Sequence, residues 1–568
     1  MQKKCSIALL AALSAAAATA AARYVLGAEA GLYSAWMLFF ALAWAGGQKF
    51  WMECDGRARA CFGTAGGLLM LAMALGWRLQ SAGETGWTSL AACAVMAVCL
   101  GPCAGFGMLW LSRRLENLRE GRCAKPVRVF WTAFGLILLG WLPVLLAYFP
   151  GCYGYDLDSQ LTQAVYGGYT THHPLLHTLM VGSLYNLGGW LGDHTIGALL
   201  YTVLQMLLLA AALAYALMYL AQKGCPRWVR LGLTTLFALA PVHSLHAIGA
   251  VKDVPFAAAM TVCLVEIHKL ACDRERLRSP RKMALLAGML VLACLLRNNA
   301  VMAVAAFAII ALLLMGRGWR MRTLAVLAAA LVAYAGASAG LKAATGAVDG
   351  LINEALSVPA QQLSRVYDKY GLDEPVGYEI IEWVPHAEDY APARADFVKL
   401  HLQVHREGEM MGFLKFWIRE FFHYPIEYID AFLLNAQGYW YPDDTTVATI
   451  YEPWSAVITV HQRGGFGVDY TSRFPWLKAL YNRLFSDNEY MQSAALQKLI
   501  TPSSYTWLLV WVLAWAIWRR KRGVMMAGWL MLMYLLTLFL GPCALLRYAY
   551  YLMIGAPVLA ALMCTSKA

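Results

Sequence analysis

Gly151-Cys-Tyr-Gly-Tyr-Asp-Leu-Asp-Ser-Gln160, followed by Thr171-His-His-Pro174, interrupts a chain that is otherwise long apolar runs. The stretch holds two carboxylates two residues apart, Asp156 and Asp158, and two adjacent imidazoles, His172 and His173. Whether it crosses a membrane or lies outside one decides the topology. Residues 156–193 scatter Tyr, Gly, His and Asn too densely for a crossing, so they read as external or interfacial helices in a first external loop over 150–194.

Working outward, the chain has 568 residues, 60% hydrophobic and 14% charged, against about 25% charged in soluble domains. This composition predicts an all-α polytopic membrane protein. The net charge of +12 does not point to nucleic acid, because the basic residues cluster in short loops between apolar runs. Spans are expected near 1–22, 31–51, 62–78, 88–112, 129–149, 195–220, 229–247, 254–271, 283–296, 299–315, 323–341, 503–518, 524–541 and 545–564. That makes about fourteen, with both ends cytoplasmic. The first run also fits a cleaved signal peptide, since it is Ala-rich near residue 22.

The basic loops at 113–128, 223–230, 274–282, 317–322 and 519–522 all fall on one side, which places Asp156 and Asp158 on the other. Four regions follow: a four-span region at 1–124, a membrane core at 125–341, a polar insertion at 342–500 and three closing spans at 501–568. The insertion holds 21 of the 34 acidic and 13 of the 46 basic residues, which suits a translocated helical domain. Its aromatics, Tyr439-Trp-Tyr-Pro442, Trp454, Phe474 and Trp476, suit a membrane interface. The fourteen cysteines show no zinc or disulfide spacing, and in this topology only Cys152 and Cys543 lie clearly on the external side, where they could pair.

Charged residues at span ends are costly in lipid and mark functional sites by default. Asp156 and Asp158 with His172 and His173 read either as a solvated Asp-Ser turn, as a general base, or as ligands for a divalent cation such as Mg or Mn. Lys252-Asp253 reads as a local ion pair or as a phosphate-binding lysine steadied by its neighbour. Arg297-Asn298-Asn299 reads as a tight turn with a snorkelling arginine, or as an anion clamp with sugar-hydroxyl donors. In Arg547-Tyr548, Arg547 reads as a lone interfacial arginine, or as a planar fork for a diphosphate. These sets span about 400 residues, yet the topology brings them to one face.

The same residues resemble the polytopic glycosyltransferases that use polyprenyl-phosphate sugars (the GT-C fold), specifically an uncharacterised bacterial multi-spanning subfamily. The likeness runs through Tyr155-Asp156 to Gln160 with His172-His-Pro174, Lys252-Asp253-Val-Pro-Phe256, Leu296-Arg-Asn-Asn299, Glu354-Ala-Leu-Ser-Val-Pro-Ala-Gln-Gln362 (which contains Gln361), Tyr439-Trp-Tyr-Pro442 and Arg547-Tyr548. It covers about 125–565 and leaves the first four spans outside. It implies an acidic catalytic base or metal ligand at Asp156 or Asp158, and lipid-phosphate binding by Lys252, Arg297 and Arg547. Where such enzymes carry adjacent acidic residues, this chain has Asp-Leu-Asp. The expected function is transfer of a sugar from a polyprenyl-phosphate donor to a cell-envelope glycan or lipid, outside a bacterial cytoplasmic membrane. A transporter or flippase of a lipid-linked glycan is the alternative, as is a polymerase or ligase of lipid-linked oligosaccharides. Transporters commonly show internal repeats and midplane charges, and this sequence has neither.

Overall fold

The computed structural model describes residues 2–26, 33–118, 120–121, 123–153, 156–404, 407–444, 466–485, 498 and 500–565. Tyr155 and Trp454, named above, and residues 119 and 122 of the basic loop 113–128 lie outside the described residues. Among the described residues the chain is all helix, with a few isolated bridges and no strand.

Four long helices come first: α1 (Gln2–Leu26), α2 (Tyr33–Glu53), α3 (Gly56–Ala82) and α4 (Trp87–Glu116). The Asp55 carboxylate caps α3 by accepting from Ala58 N at 2.7 Å, and Gly83 ends it at φ +71°. Helices α3 and α4 cross closely at Gly66, Gly101 and Gly105; a Cβ on Gly66 would stand 2.2 Å from the Gly101 carbonyl oxygen. Small residues at such crossings let helix backbones touch where lipid gives no hydrophobic drive.

The core follows: α5 (Pro126–Ala147), α6 (Asp156–Tyr166), α7 (Leu175–Trp190), α8 (His194–Gln222), α9 (Arg227–Leu239), α10 (Pro241–Ile248), α11 (Asp253–Cys272), α12 (Pro280–Leu296), α13 (Ala300–Leu314) and α14 (Arg317–Thr345). The insertion adds α15 (Ser357–Tyr370), α16 (Pro375–Trp383), α17 (Asp396–Lys399), α18 (Glu407–His423), α19 (Pro425–Asn435), α20 (Gln437–Trp440) and α21 (Pro475–Phe485). It has its own small core around Leu363, Ile380, Phe413 and Tyr428. The chain closes with α22 (Pro502–Arg519), α23 (Arg522–Leu538) and α24 (Tyr550–Ala561).

Among the described residues, eight helices are long and apolar enough to cross a membrane, or nine if the bent pair α9–α10 is one span. This is a multi-pass membrane architecture. Other expected spans are shorter helices: α12, α13 and α23 have 17, 15 and 17 residues, below the ~20 a full crossing needs. The expected span at 229–247 is broken by 51°. Pro241 opens α10 there and cannot donate back into α9. Segment 156–193 forms the two helices α6 and α7, of 11 and 16 residues, neither among the candidate spans. Cys152 and Cys543 are both buried free thiols, so the considered disulfide is absent.

The N-terminal four helices are fastened at both ends. Glu116 accepts from Arg519 Nε at 2.7 Å and from Trp515 Nε1 at 2.9 Å. At the other end, Asp430 accepts from Thr85 N and Oγ1 at 3.0 and 2.6 Å. Antiparallel runs put Asp156, Lys252, Arg297 and Arg547 at one end of the core. The insertion caps that end, with Ala395 N donating to Pro542 O at 2.7 Å.

Candidate functional site

The site begins with backbone. Cys152 N donates to Ile248 O at 2.9 Å and Ala250 N to Cys152 O at 2.8 Å, so the lead-in to α6 runs beside the lead-in to α11. Gly151 permits this at φ +141°; a Cβ would meet Thr202 Oγ1 at 2.3 Å. Asp156, first residue of α6, and Lys252, just before α11, are thereby set face to face.

Lys252 Nζ donates to Asp156 Oδ2 at 2.6 Å, and Arg547 Nη1 donates to the same oxygen at 3.0 Å. Asp253 turns the other way and is paired with Arg297, while its second oxygen lies 3.8 Å from Arg547. The expected local Lys252–Asp253 pair is therefore replaced by two longer-range pairs. Arg297 is a buried partner and not a snorkelling one. The Tyr548 ring has the Arg297 guanidinium 4.6 Å and the Arg547 guanidinium 4.9 Å from its centre. Exposure is graded: Asp253 1%, Arg297 and Arg547 8%, Lys252 13% and Asp156 18%. Asp156 is thus the open end of the cluster. Among the described residues three cations face two carboxylates, leaving a surplus positive charge once His173 is neutral.

His173 is neutral. Burial and the neighbouring Lys252 push it down to about 3, and its Nδ1 lies 3.2 Å from Lys252 Nζ, placed to accept that proton. Burial alone would raise the Asp156 carboxyl, but Arg547 and then Lys252 override it and hold it well below the usual carboxylate range. Burial lowers the Lys252 ammonium, with Asp156 opposing. In this arrangement Asp156 is a counter-ion, and it is a poor base until a cation leaves it.

A buried hydrogen-bond chain that the sequence reading did not assign holds these parts in register. His177 Nδ1 lies 3.0 Å from Gln160 Oε1, and its Nε2 lies 2.6 Å from Tyr201 OH. Tyr201 OH donates to Gln205 Oε1 at 3.1 Å, and Gln205 Nε2 donates to Ala247 O and Gly249 O at 3.0 and 2.7 Å. The chain links α6, α7 and α8 to the turn that ends at Lys252. Its signal was present: Tyr201 and Gln205 stand four apart on one face of an apolar helix. Tyr439 gives similar support, its hydroxyl accepting from Leu545 N at 3.1 Å, two residues before Arg547.

The other expected residues are placed apart. Asp158 is exposed on α6, turned from Asp156, because two helical steps rotate a side chain by about 200°. Its charge bears on Tyr470. His172 is largely exposed, 4.0 Å from Glu354 and edge-on to His173. Asn298 Nδ2 donates to Thr171 O at 3.2 Å and Asn299 Nδ2 to Thr537 Oγ1 at 2.8 Å, both structural bonds between elements. Gln361 lies in the insertion and donates to Ala391 O at 2.6 Å, bracing the loop that meets Pro542. Asp156 and Asp253 are each paired with cations in this arrangement.

The neutral state of His173 has a measurable consequence. Below pH ~6.5 an unfolded histidine takes up a proton that folded His173 refuses until about 3. Its contribution to stability is present above the unfolded value and falls as pH drops through that window, by up to about 1.4 kcal/mol per pH unit. Thermal unfolding in detergent between pH 7 and 5 is expected to show a steeper loss for wild type than for His173→Gln. Parallel curves would refute the assignment.

A family model matches residues 167–568, described as a family of unknown function (DUF6020). The match takes in His173, Lys252, Arg297 and Arg547 and begins just after α6. No curated protein and no solved structure matches the chain.

Proposed function

Because the chain belongs to the DUF6020 family, whose function is unknown, we propose its activity from the chemistry of the site: it is a membrane glycosyltransferase that moves a sugar from a polyprenyl-phosphate donor to a cell-envelope glycan or lipid. One observation carries this reading. Among the described residues three cations, the half-buried Lys252 and the buried Arg297 and Arg547, face two carboxylates at one end of a membrane bundle. A buried surplus of positive charge favours an anion, and the planar Arg547 fork suits phosphate oxygens. Beside it, a cleft lined by His173, Leu176, Leu295, Tyr334 and Leu341 runs between α7, α12 and α14, which suits a lipid-borne anion.

The donor phosphate takes over Lys252 and Arg547 from Asp156. The freed carboxylate accepts the proton of the acceptor hydroxyl as that oxygen bonds to the anomeric carbon. The anomeric carbon–phosphate bond breaks, and its electron pair stays on the phosphate oxygen, where the two cations stabilise it. The opposite end of the core carries the basic loops, so we place the site outside a bacterial cytoplasmic membrane and count the shorter helices toward about fourteen crossings. A GT-C architecture accommodates this arrangement.

The test is transfer of radiolabelled sugar from polyprenyl-phosphate donors into lipid and glycan fractions by purified, reconstituted protein. Arg547→Lys keeps the charge and loses the fork, and is expected to lower kcat by on the order of 10²–10³. Full activity in that variant would remove Arg547 from the mechanism. A wild type that transfers from no donor, yet moves a lipid-linked glycan across vesicles, would replace the enzyme with a transporter.

A further inference from the structure

Helix α11 carries a second buried charge cluster at its other end, thirteen residues from Asp253, or ~20 Å along the axis. Glu266, 4% exposed, accepts from Lys269 Nζ and Arg276 Nη2, each at 2.8 Å, and from the Tyr215 hydroxyl. Lys269 also lies over the Tyr215 and Tyr219 rings at 4.3 and 5.1 Å. One carboxylate thus serves two direct cations, and Lys223 and Lys521 bear on the adjoining His268. The proposed transfer chemistry at Asp156 uses none of these groups.

A cleft opens beside this cluster between α11, α12, α14 and the turn Arg274–Arg278. Its lining is sorted by polarity. Arg276 lines it together with the Glu266 carboxylate it pairs with, the exposed Lys282 adds a cation that no carboxylate of the lining pairs at 4 Å, and Leu270, Leu277, Leu286 and Val326 are buried within. Next to it Trp319 has the Arg278 and Arg322 guanidiniums 5.6 and 5.4 Å from its ring, an aromatic-basic pairing suited to the headgroup level of a bilayer. The loops of this end, residues 223–230, 269–282, 317–322 and 519–522, are strongly cationic.

We infer that this cleft binds the phosphate head group of an anionic phospholipid, with Arg276 and Lys282 on the phosphate and an acyl chain against Leu286 and Val326. Cations at the entrance over an apolar interior match an amphiphile with a charged head. A soluble phosphate would use the cations and leave the apolar lining idle. The site stands apart from the Asp156 centre and does not depend on the proposed transfer reaction.

The experiment uses the full chain in nanodiscs of phosphatidylcholine with or without phosphatidylglycerol, read by native mass spectrometry and thermal unfolding. Wild type is expected to retain one phosphatidylglycerol and to melt higher with it. Lys282→Gln should retain roughly fivefold less, and Lys282→Gln with Arg276→Gln roughly fivefold less again. The double variant is first checked for folding in neutral discs; if it fails, Lys282→Gln alone decides. Arg128→Gln, a basic residue of the same end outside the cleft, should retain the lipid as wild type does. Equal loss in Arg128→Gln and Lys282→Gln would reduce the effect to general surface charge and overturn the site. Equal stabilisation by inorganic phosphate in neutral discs, lost in Lys282→Gln, would overturn the lipid assignment in favour of a soluble anion.

Discussion

Asp156→Asn is expected to fold but to melt well below wild type, and added inorganic phosphate or sulfate is expected to restore part of the loss. The variant keeps the shape of the side chain and removes its charge. Lys252 and Arg547, which share Asp156 Oδ2 at 2.6 and 3.0 Å, then face one another with only Asp253 between three cations. Breaking a fully buried pair costs about 3–5 kcal/mol; the partial exposure of Asp156 argues for about 2–3 kcal/mol. An oxyanion entering the vacated position would reform both contacts and stabilise the fold by mass action. Wild type, with the carboxylate in place, should gain less from the same anion. Thermal unfolding at matched ionic strength, with chloride against phosphate or sulfate, separates the two. Equal anion effects on variant and wild type would mean that the Lys252–Arg547 seat does not bind anions.

The same residues show what the sequence could and could not reveal. Lys252, Arg297 and Arg547 were legible because a cation at a span end in an apolar chain has few inexpensive places to go. Their partners were not. Adjacent Lys252 and Asp253 invite a local pair, yet neighbouring helical residues point about 100° apart, and each side chain found an opposite charge from a distant element. Asp-Leu-Asp was read as one acidic unit, which it would be on an extended loop. Helix α6 starts at Asp156 and turns Asp158 to the outside. Gln205 and His177 escaped notice because lone polar residues in apolar runs gain meaning only when their partners are known. Span boundaries were less legible for a similar reason: hydropathy adds up residues and registers neither Pro241 as a break nor the end of α13 after 15 residues.

Arg297→Met is expected to be the most destabilising single change at the site, by about 3–5 kcal/mol, and Arg297→Met combined with Asp253→Leu should recover most of that loss. Arg297 and Asp253 are 8% and 1% exposed, and the pair lies deeper than Lys252 or Asp156. Removing the guanidinium strands a carboxylate whose remaining cation, Arg547, stands 3.8 Å away and is already engaged by Asp156. Replacing both members with apolar groups of similar size removes the stranded charge and leaves a packed interior beside Tyr534 and Tyr548. Chemical or thermal unfolding of the four proteins of this cycle gives the coupling directly. A double variant as unstable as the worse single one would show that the pair is held by the wider network and not by its own two charges. If stability returns, sugar transfer by the double variant separates roles. Activity near wild type makes Arg297–Asp253 a scaffold under Arg547. Activity lost in a stable protein places the Arg297 charge on the donor phosphate itself.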